Sequence, residues 1–289
     1  MASIAANKRN GTKIGVSTII FTIILLLGAI SMLLPFVWMI LASLKTNGEF
    51  LNAFKWLPAA PQWENYTRLL FPEKGHPFML YFFNSVKVTG LAMIGTVLSC
   101  SLVAFALARI SFPGKNIVFG FAVISIFLPS QVTMIPQFLI FKELGWLGTH
   151  YPLIIPAFLA SAFGIILLRQ FYRTIPKEMD EAAKVDGAGW FTIYSRIHLP
   201  LMISPLITLA ILTFQEKWAE ILYPMIFIGK NSDLWTMVLK IRDLSTGQYN
   251  SRPELEMAGN VLLVLPVIIL FITAQPYFVK SIATSGVKG

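Results

Sequence analysis

Six separate runs of strongly apolar residues divide this chain, at roughly 15–42, 80–108, 117–140, 151–172, 200–229 and 258–279. About 20 such residues in a row are what an α-helix needs to cross the hydrocarbon core of a bilayer. A backbone in lipid must satisfy its own hydrogen bonds, and a helix does so within the segment. The sequence therefore reads as an all-α membrane protein with six transmembrane helices and both termini on one side. Composition agrees. The chain is 56% hydrophobic and 13% charged, with a mean hydropathy of +0.69, whereas soluble domains are about 45–50% apolar and about 25% charged. The first run follows Lys8, Arg9 and Lys13 and is longer than a signal-peptide core, so it reads as a retained span behind a short tail, 1–14.

The net charge of +9 is spread singly between apolar runs, which argues against a nucleic-acid partner and for a topology signal. With the N-terminus cytoplasmic, the inner segments carry twelve Lys and Arg against nine in the outer ones; the excess is small and favours both termini inside. Cys100 is the only cysteine, and His76, His150 and His198 lie far apart. No HExxH, GxSxG or GxxxxGK[ST] occurs, so the chain is read as non-catalytic, with no metal or nucleotide site of its own.

Two loops are long. The outer one after the first span carries Trp56, Pro58, Pro61, Trp63 and Tyr66; it suits either an extracytoplasmic partner or a re-entrant connection packed on its own spans. The inner one, 169–199, reads RQFYRTIPKEMDEAAKVDGAGWFTIYSRIHL. Pro176 suits a first helical turn, Glu178, Asp180 and Glu181 favour a helix start, and Gly187 suits a left-handed close. Met179, Ala182 and Ala183 fall on one face at i, i+3, i+4. A second short helix is predicted from about Trp190 to Ile197, ended by Pro200. Such helices can lie on the lipid surface or meet a protein.

Glu181-Ala182-Ala183, then Gly187, then Ile197-His198-Leu199-Pro200 fill the pattern EAA-x3-G-x9-I-x-LP. This resembles the signature of the permease subunits of bacterial ABC importers. PFVWMILASLKTNGEF, FFNSVKVT, AFALARISFPGK, FLPSQVTMIPQFLIF and the ending QPYFVKSIATSGVKG resemble the maltose-type, carbohydrate-uptake branch. The resemblance implies the type I permease fold: one six-span domain, 15–289, in the bacterial cytoplasmic membrane with both termini cytoplasmic. It implies a second homologous permease, two cytoplasmic ABC ATPase subunits that use ATP and Mg, and an extracytoplasmic solute-binding protein. This chain would itself bind no cofactor. Its loop would be a coupling helix: Glu181 contacts the ATPase, Ala182 and Ala183 allow close packing, Gly187 turns the chain, and Ile197, Leu199 and Pro200 anchor the loop to the fifth span.

Ionisable groups inside a span point to function. The fifth span holds Gln215, Glu216, Lys217, Trp218 and Glu220. Glu216 and Glu220 share a face at i, i+4, with Lys217 about 100° away. Two readings stand: a polar lining with Trp218 stacking on a sugar ring, or an ion pair that holds the span to a neighbour. The branch it resembles carries Trp-Asn where this chain has Trp218-Ala219. Asn84, Gln131, Thr133 and Gln137 are further candidates for the path, while Lys87 reads as snorkelling outward. The expected function is import of a di- or oligosaccharide. The alternatives are an ABC permease for a non-sugar solute, or a self-contained ion-coupled transporter, against which no repeated pair of broken spans is evident in the sequence.

Overall fold

The computed structural model describes residues 16–52, 55–73, 75–246 and 252–286. The tail 1–14, with Lys8, Arg9 and Lys13, lies outside them. Every regular element among the described residues is a helix, with no strand. Among the described residues four helices are long and apolar enough to span a bilayer: Ser17–Ser43, Phe78–Arg109, Tyr151–Thr174, which opens with α7 (Tyr151–Ile154), and Pro253–Gln275. Two bent pairs bring the total to six if each pair is one span.

The long helix α4 (Phe78–Arg109) forms the axis of the fold. Ser85, Thr89, Ala92, Thr96, Cys100 and Ala104 repeat along it at helical spacing and are buried. Small residues let neighbouring backbones approach where lipid supplies no hydrophobic drive, and α8 (Ala162–Thr174) and α12 (Ile203–Trp218) pack there. The approach is close: a Cβ on Gly164 would sit 2.6 Å from Cys100 Sγ. By contrast α1 (Val16–Ser43) is exposed along nearly all its length and packs on α15 (Pro253–Gly286). Apolar all round, it is a helix made for lipid.

The predicted third span is not one helix. Helices α5 (Lys115–Ser125) and α6 (Ser130–Glu143) meet at 106°. The residue before a proline is driven out of the helical region, so Leu128-Pro129 stops α5 and opens α6. The predicted fifth span is also broken. A 77° bend separates Trp190–Leu201 from α12, and α12 ends at Trp218, ahead of α13 (Leu222–Phe227). Glu220 explains the second stop, since its Oε1 accepts from the amides of Leu222 at 2.9 Å and Tyr223 at 3.4 Å, two donors a helix start leaves open. Glu216 and Glu220 therefore do not share a helix face. Broken spans are present after all, at two places.

Two short helices, α2 (Asn47–Asn52) and α3 (Glu64–Leu70), follow α1. They pack on α15 rather than standing free. Glu49 organises this loop by accepting from the amides of Thr46 at 3.0 Å and Ala59 at 2.9 Å. Those bonds hold its carboxyl below the ordinary carboxylate value. A depressed folded value means the contribution is present above the ordinary range and is lost as pH falls through the lowered value. Hydrogen exchange at the Ala59 amide, corrected for intrinsic rate, is expected to stay slow down to the ordinary carboxylate range and quicken below it. In Glu49→Gln that pH step disappears; a step that persists would refute the assignment.

Candidate functional site

The loop 169–199 forms the first region. Helix α9 (Glu178–Val185) ends in a Schellman motif: Ala188 N–H donates to Ala183 O at 2.9 Å and Gly187 N–H to Lys184 O at 3.0 Å. Gly187 takes φ +79°, which only glycine adopts without penalty. The chain then runs through α10 (Trp190–Thr192), a π-helical turn at Ile193–His198 and α11 (Leu199–Leu201) into α12. Glu178, Glu181, Ala182 and Val185 form the outward face at i, i+3, i+4, i+7, with Val185 88% exposed.

Met179, Ala182 and Ala183 do not act as one surface. Ala183 is buried in the protein's own core with Phe105, Tyr172, Ile193 and Tyr194, whereas Ala182 faces out. Ile197 and Leu199 pack against that core, and Pro200 is exposed where α12 approaches. Three residues missed in the sequence reading hold the loop. Asp180 is buried; its Oδ1 lies 2.5 Å from His198 Nε2 and its Oδ2 3.6 Å from Arg109 Nε. The signal was an acid and a histidine inside an apolar pattern, but their partner lies 71 positions upstream of Asp180 at the end of α4.

The second region is a cavity of about 300 Å³. Glu216, Lys217 and Glu220 line it, with Gln137 from α6, Tyr223 from α13 and Thr236. Lys217 Nζ sits 2.8 Å from Glu216 Oε1, so the pair forms within one helix between adjacent residues. Gln137 Nε2 donates to Thr133 Oγ1 at 3.3 Å. The buried Thr236 Oγ1 has no hydrogen-bond partner among the described residues. Ala160, also on the wall, takes φ +60°. Strain at a non-glycine residue clusters at functional sites and persists only where the surroundings hold it. The chain break at 219–221 lies beside this cavity, with Glu220 on its wall, which is where irregular backbone is tolerated at membrane depth. Among the described residues no three His, Cys, Asp or Glu gather to hold a metal ion.

The remaining candidates fall elsewhere. Trp218 is 3% exposed and turned away from the cavity, its ring 5.2 Å from Phe214 and its Nε1–H donating to Leu263 O at 2.9 Å. It packs α12 on α15 and offers no face to a solute. Asn84 is structural too: its Nδ2 donates to the carbonyls of Asp233 at 2.8 Å and Trp235 at 3.0 Å, pinning that loop to α4. Gln131, Gln215 and Lys87 are exposed and outside the cavity lining.

Residues 100–284 match the family described as binding-protein-dependent transport system inner membrane component. A probable ABC transporter permease protein of Bacillus subtilis, YurM, is 32% identical over 274 residues, covering 92% of this chain and 87% of the relative. The arabinooligosaccharides transport system permease protein AraQ of Halalkalibacterium halodurans is 31% identical, covering 88% and 91%. The sn-glycerol-3-phosphate transport system permease protein UgpE of Yersinia pestis is 30% identical, covering 91% and 95%. Among solved structures, a bacterial ABC transporter involved in the import of the acidic polysaccharide alginate superposes with a TM-score of 0.77 at 23% identity, covering 91% of this chain and 98% of that one.

Proposed function

The chain belongs to the binding-protein-dependent inner-membrane transport family, and from that premise we propose that it forms half of the translocation pathway of an ATP-driven importer of a neutral di- or oligosaccharide. The family comprises transporter subunits and not enzymes. In this reading ATP and Mg bind to two separate ATPase subunits, a second permease completes the pathway, and a solute-binding protein delivers substrate from outside. Both termini and the loop of α9 face the cytoplasm.

The observation that carries the sugar is the relatedness to an oligosaccharide permease along nearly the whole chain. The cavity supports it. Two carboxylates, one ammonium, an amide, a phenol and an open hydroxyl offer many hydrogen bonds and a slight excess of negative charge. That suits hydroxyl-rich neutral solutes and disfavours phosphorylated or uronate ones. The outward face of α9 supports docking on an ATPase: it is small and apolar at Ala182 and Val185, flanked by Glu178 and Glu181.

The test is reconstitution with the co-encoded permease, ATPase and binding protein. Arabinotriose uptake should require ATP and all four components, with glycerol 3-phosphate and alginate trisaccharide not carried. Uptake by this chain alone without ATP would overturn the reading. Within the cavity, Glu216→Gln should leave assembly intact, because its pair with Lys217 is 64% exposed at the carboxylate and such pairs add little. The KM should rise about tenfold, the worth of one charge-assisted hydrogen bond. Failed assembly would show instead that Glu216 ties the span to a neighbour.

A further inference from the structure

Three successive turns of α4 grip the inner loop, through residues spaced i, i+4, i+8. Ser101 Oγ lies 2.8 Å from Tyr172 Oη and 3.0 Å from Tyr194 Oη. The Phe105 ring meets His198 at 5.1 Å, Tyr194 at 5.2 Å and Trp190 at 6.3 Å between centroids. Arg109, the last residue of α4, faces Asp180 and also donates from Nη2 to the carbonyl of Ile175, just ahead of α9. The π turn makes this possible. In an α-helix His198 would stand about 140° round from Ile193, whereas the i→i+5 turn brings both inward, each fully buried.

We propose that Arg109, Asp180 and His198 act as a bolt that joins α9 rigidly to the inner end of α4, so that force on the outward face of α9 moves the long helix instead of bending the loop. These are positioning residues, and the proposal rests on the coupling role given to α9 above. Asp180 and His198 stand on the two limbs of the loop, before and after Gly187, and Arg109 is the fixed end. With all three side chains at most 8% exposed, water does not compete for the bonds. Helix α4 also carries Val88 and Thr96 on the cavity wall, so the bolt joins the loop to the pathway through one continuous helix. A network built for stability alone would be closed. Here Arg109 Nε and His198 Nδ1 are buried without a hydrogen-bond partner among the described residues, a cost of the kind found at functional positions.

The experiment uses the complete importer and two cysteines. One, at exposed Val185, reports docking by cross-linking to the ATPase; the other, Glu216→Cys, reports cavity access by its rate of labelling with a membrane-impermeant maleimide. The native Cys100 is buried and does not interfere. With the bolt intact, MgATP and vanadate should change the labelling rate about tenfold, in the range of coupled sites. In His198→Leu and Asp180→Asn the cross-link and nucleotide trapping should remain while the rate change is lost. His198→Gln, which keeps an N–H donor, should restore it. An unaltered rate change in both variants overturns the bolt. Absence of the Val185 cross-link in the otherwise unmodified loop would overturn the coupling role of α9 instead. If His198→Leu is not recovered in the membrane, Asp180→Asn, which keeps size and shape, decides the question.

Discussion

Gly187→Asp is expected to leave the subunit in the membrane in near-normal amount and to reduce ATP-driven uptake to background. The separation of the two effects follows from the local geometry. At φ +79° a side chain costs roughly 1–2 kcal/mol in backbone strain, and aspartate and asparagine are among the residues that tolerate this region best. Apart from its chain neighbours, a Cβ at 187 meets no atom of the described residues within 4 Å. Nothing in the fold therefore forbids the change, and the loss must arise where the turn meets another protein. Covering an unpaired carboxylate at such a contact costs about 3–5 kcal/mol, enough to weaken docking about a hundredfold or more. Gly187→Asn carries the same strain without the charge and should keep most of the uptake. Membrane content by immunoblot and uptake by the same vesicles provide the check. Full uptake in Gly187→Asp would mean that the turn faces no partner; equal loss in both variants would mean that backbone strain, not charge, is the cause.

What could be read before the structure was whatever is written in local periodicity. Apolar length marked four long helices, and Pro176, Gly187 and the acids of α9 marked a helix and its stop, because those signals act over a few residues. Chain breaks inside apolar runs were harder. At Leu128-Pro129 the proline stands inside one continuous apolar run, so hydropathy reads a single span where the chain makes a 106° turn. At 219–221 the cause is the carboxylate of Glu220 competing for amide donors, which hydropathy cannot register because the flanking residues stay apolar. The direction in which each α9 residue points depends on α4. Ala182 and Ala183 are the same residue type at adjacent positions, yet Phe105 and Tyr172 decide that one is core and the other surface. Asp180 looked like one of three acids favouring a helix start; only its distance to Arg109 and His198 distinguishes it from Glu178 and Glu181. Glu216, Lys217 and Glu220, marked in the sequence by charge inside an apolar run, all line the cavity. Aromatic character carries no such direction: Trp218, beside the same charges, packs in a buried cluster outside the lining.

Trp218 makes that difference measurable. Its ring is stacked 15° from the plane of Phe214 and set edge-on to Phe82, and it belongs to a buried cluster with Phe78, Tyr81, Met237, Ile241 and Ala258. Truncating a buried tryptophan removes both its transfer energy and the packing around it, a loss of about 3–5 kcal/mol. Trp218→Ala should therefore lower the recovered, folded subunit severely. The loss should fall on the docking of α12 against α15, with α9 and its core untouched at the far end of α12. Trp218→Phe keeps most of the ring and gives up the Nε1–H bond to Leu263 O, worth about 0.5–1.5 kcal/mol. Its expected phenotype is a modest fall in thermal stability in detergent, with KM for the transported solute unchanged. If the indole were a sugar platform the order would reverse: Trp218→Phe would raise KM at constant stability, and Trp218→Ala would be recovered in full but would not transport. Melting temperature and KM measured on the same two variants separate a tryptophan that builds the wall of the pathway from one that touches what passes through it.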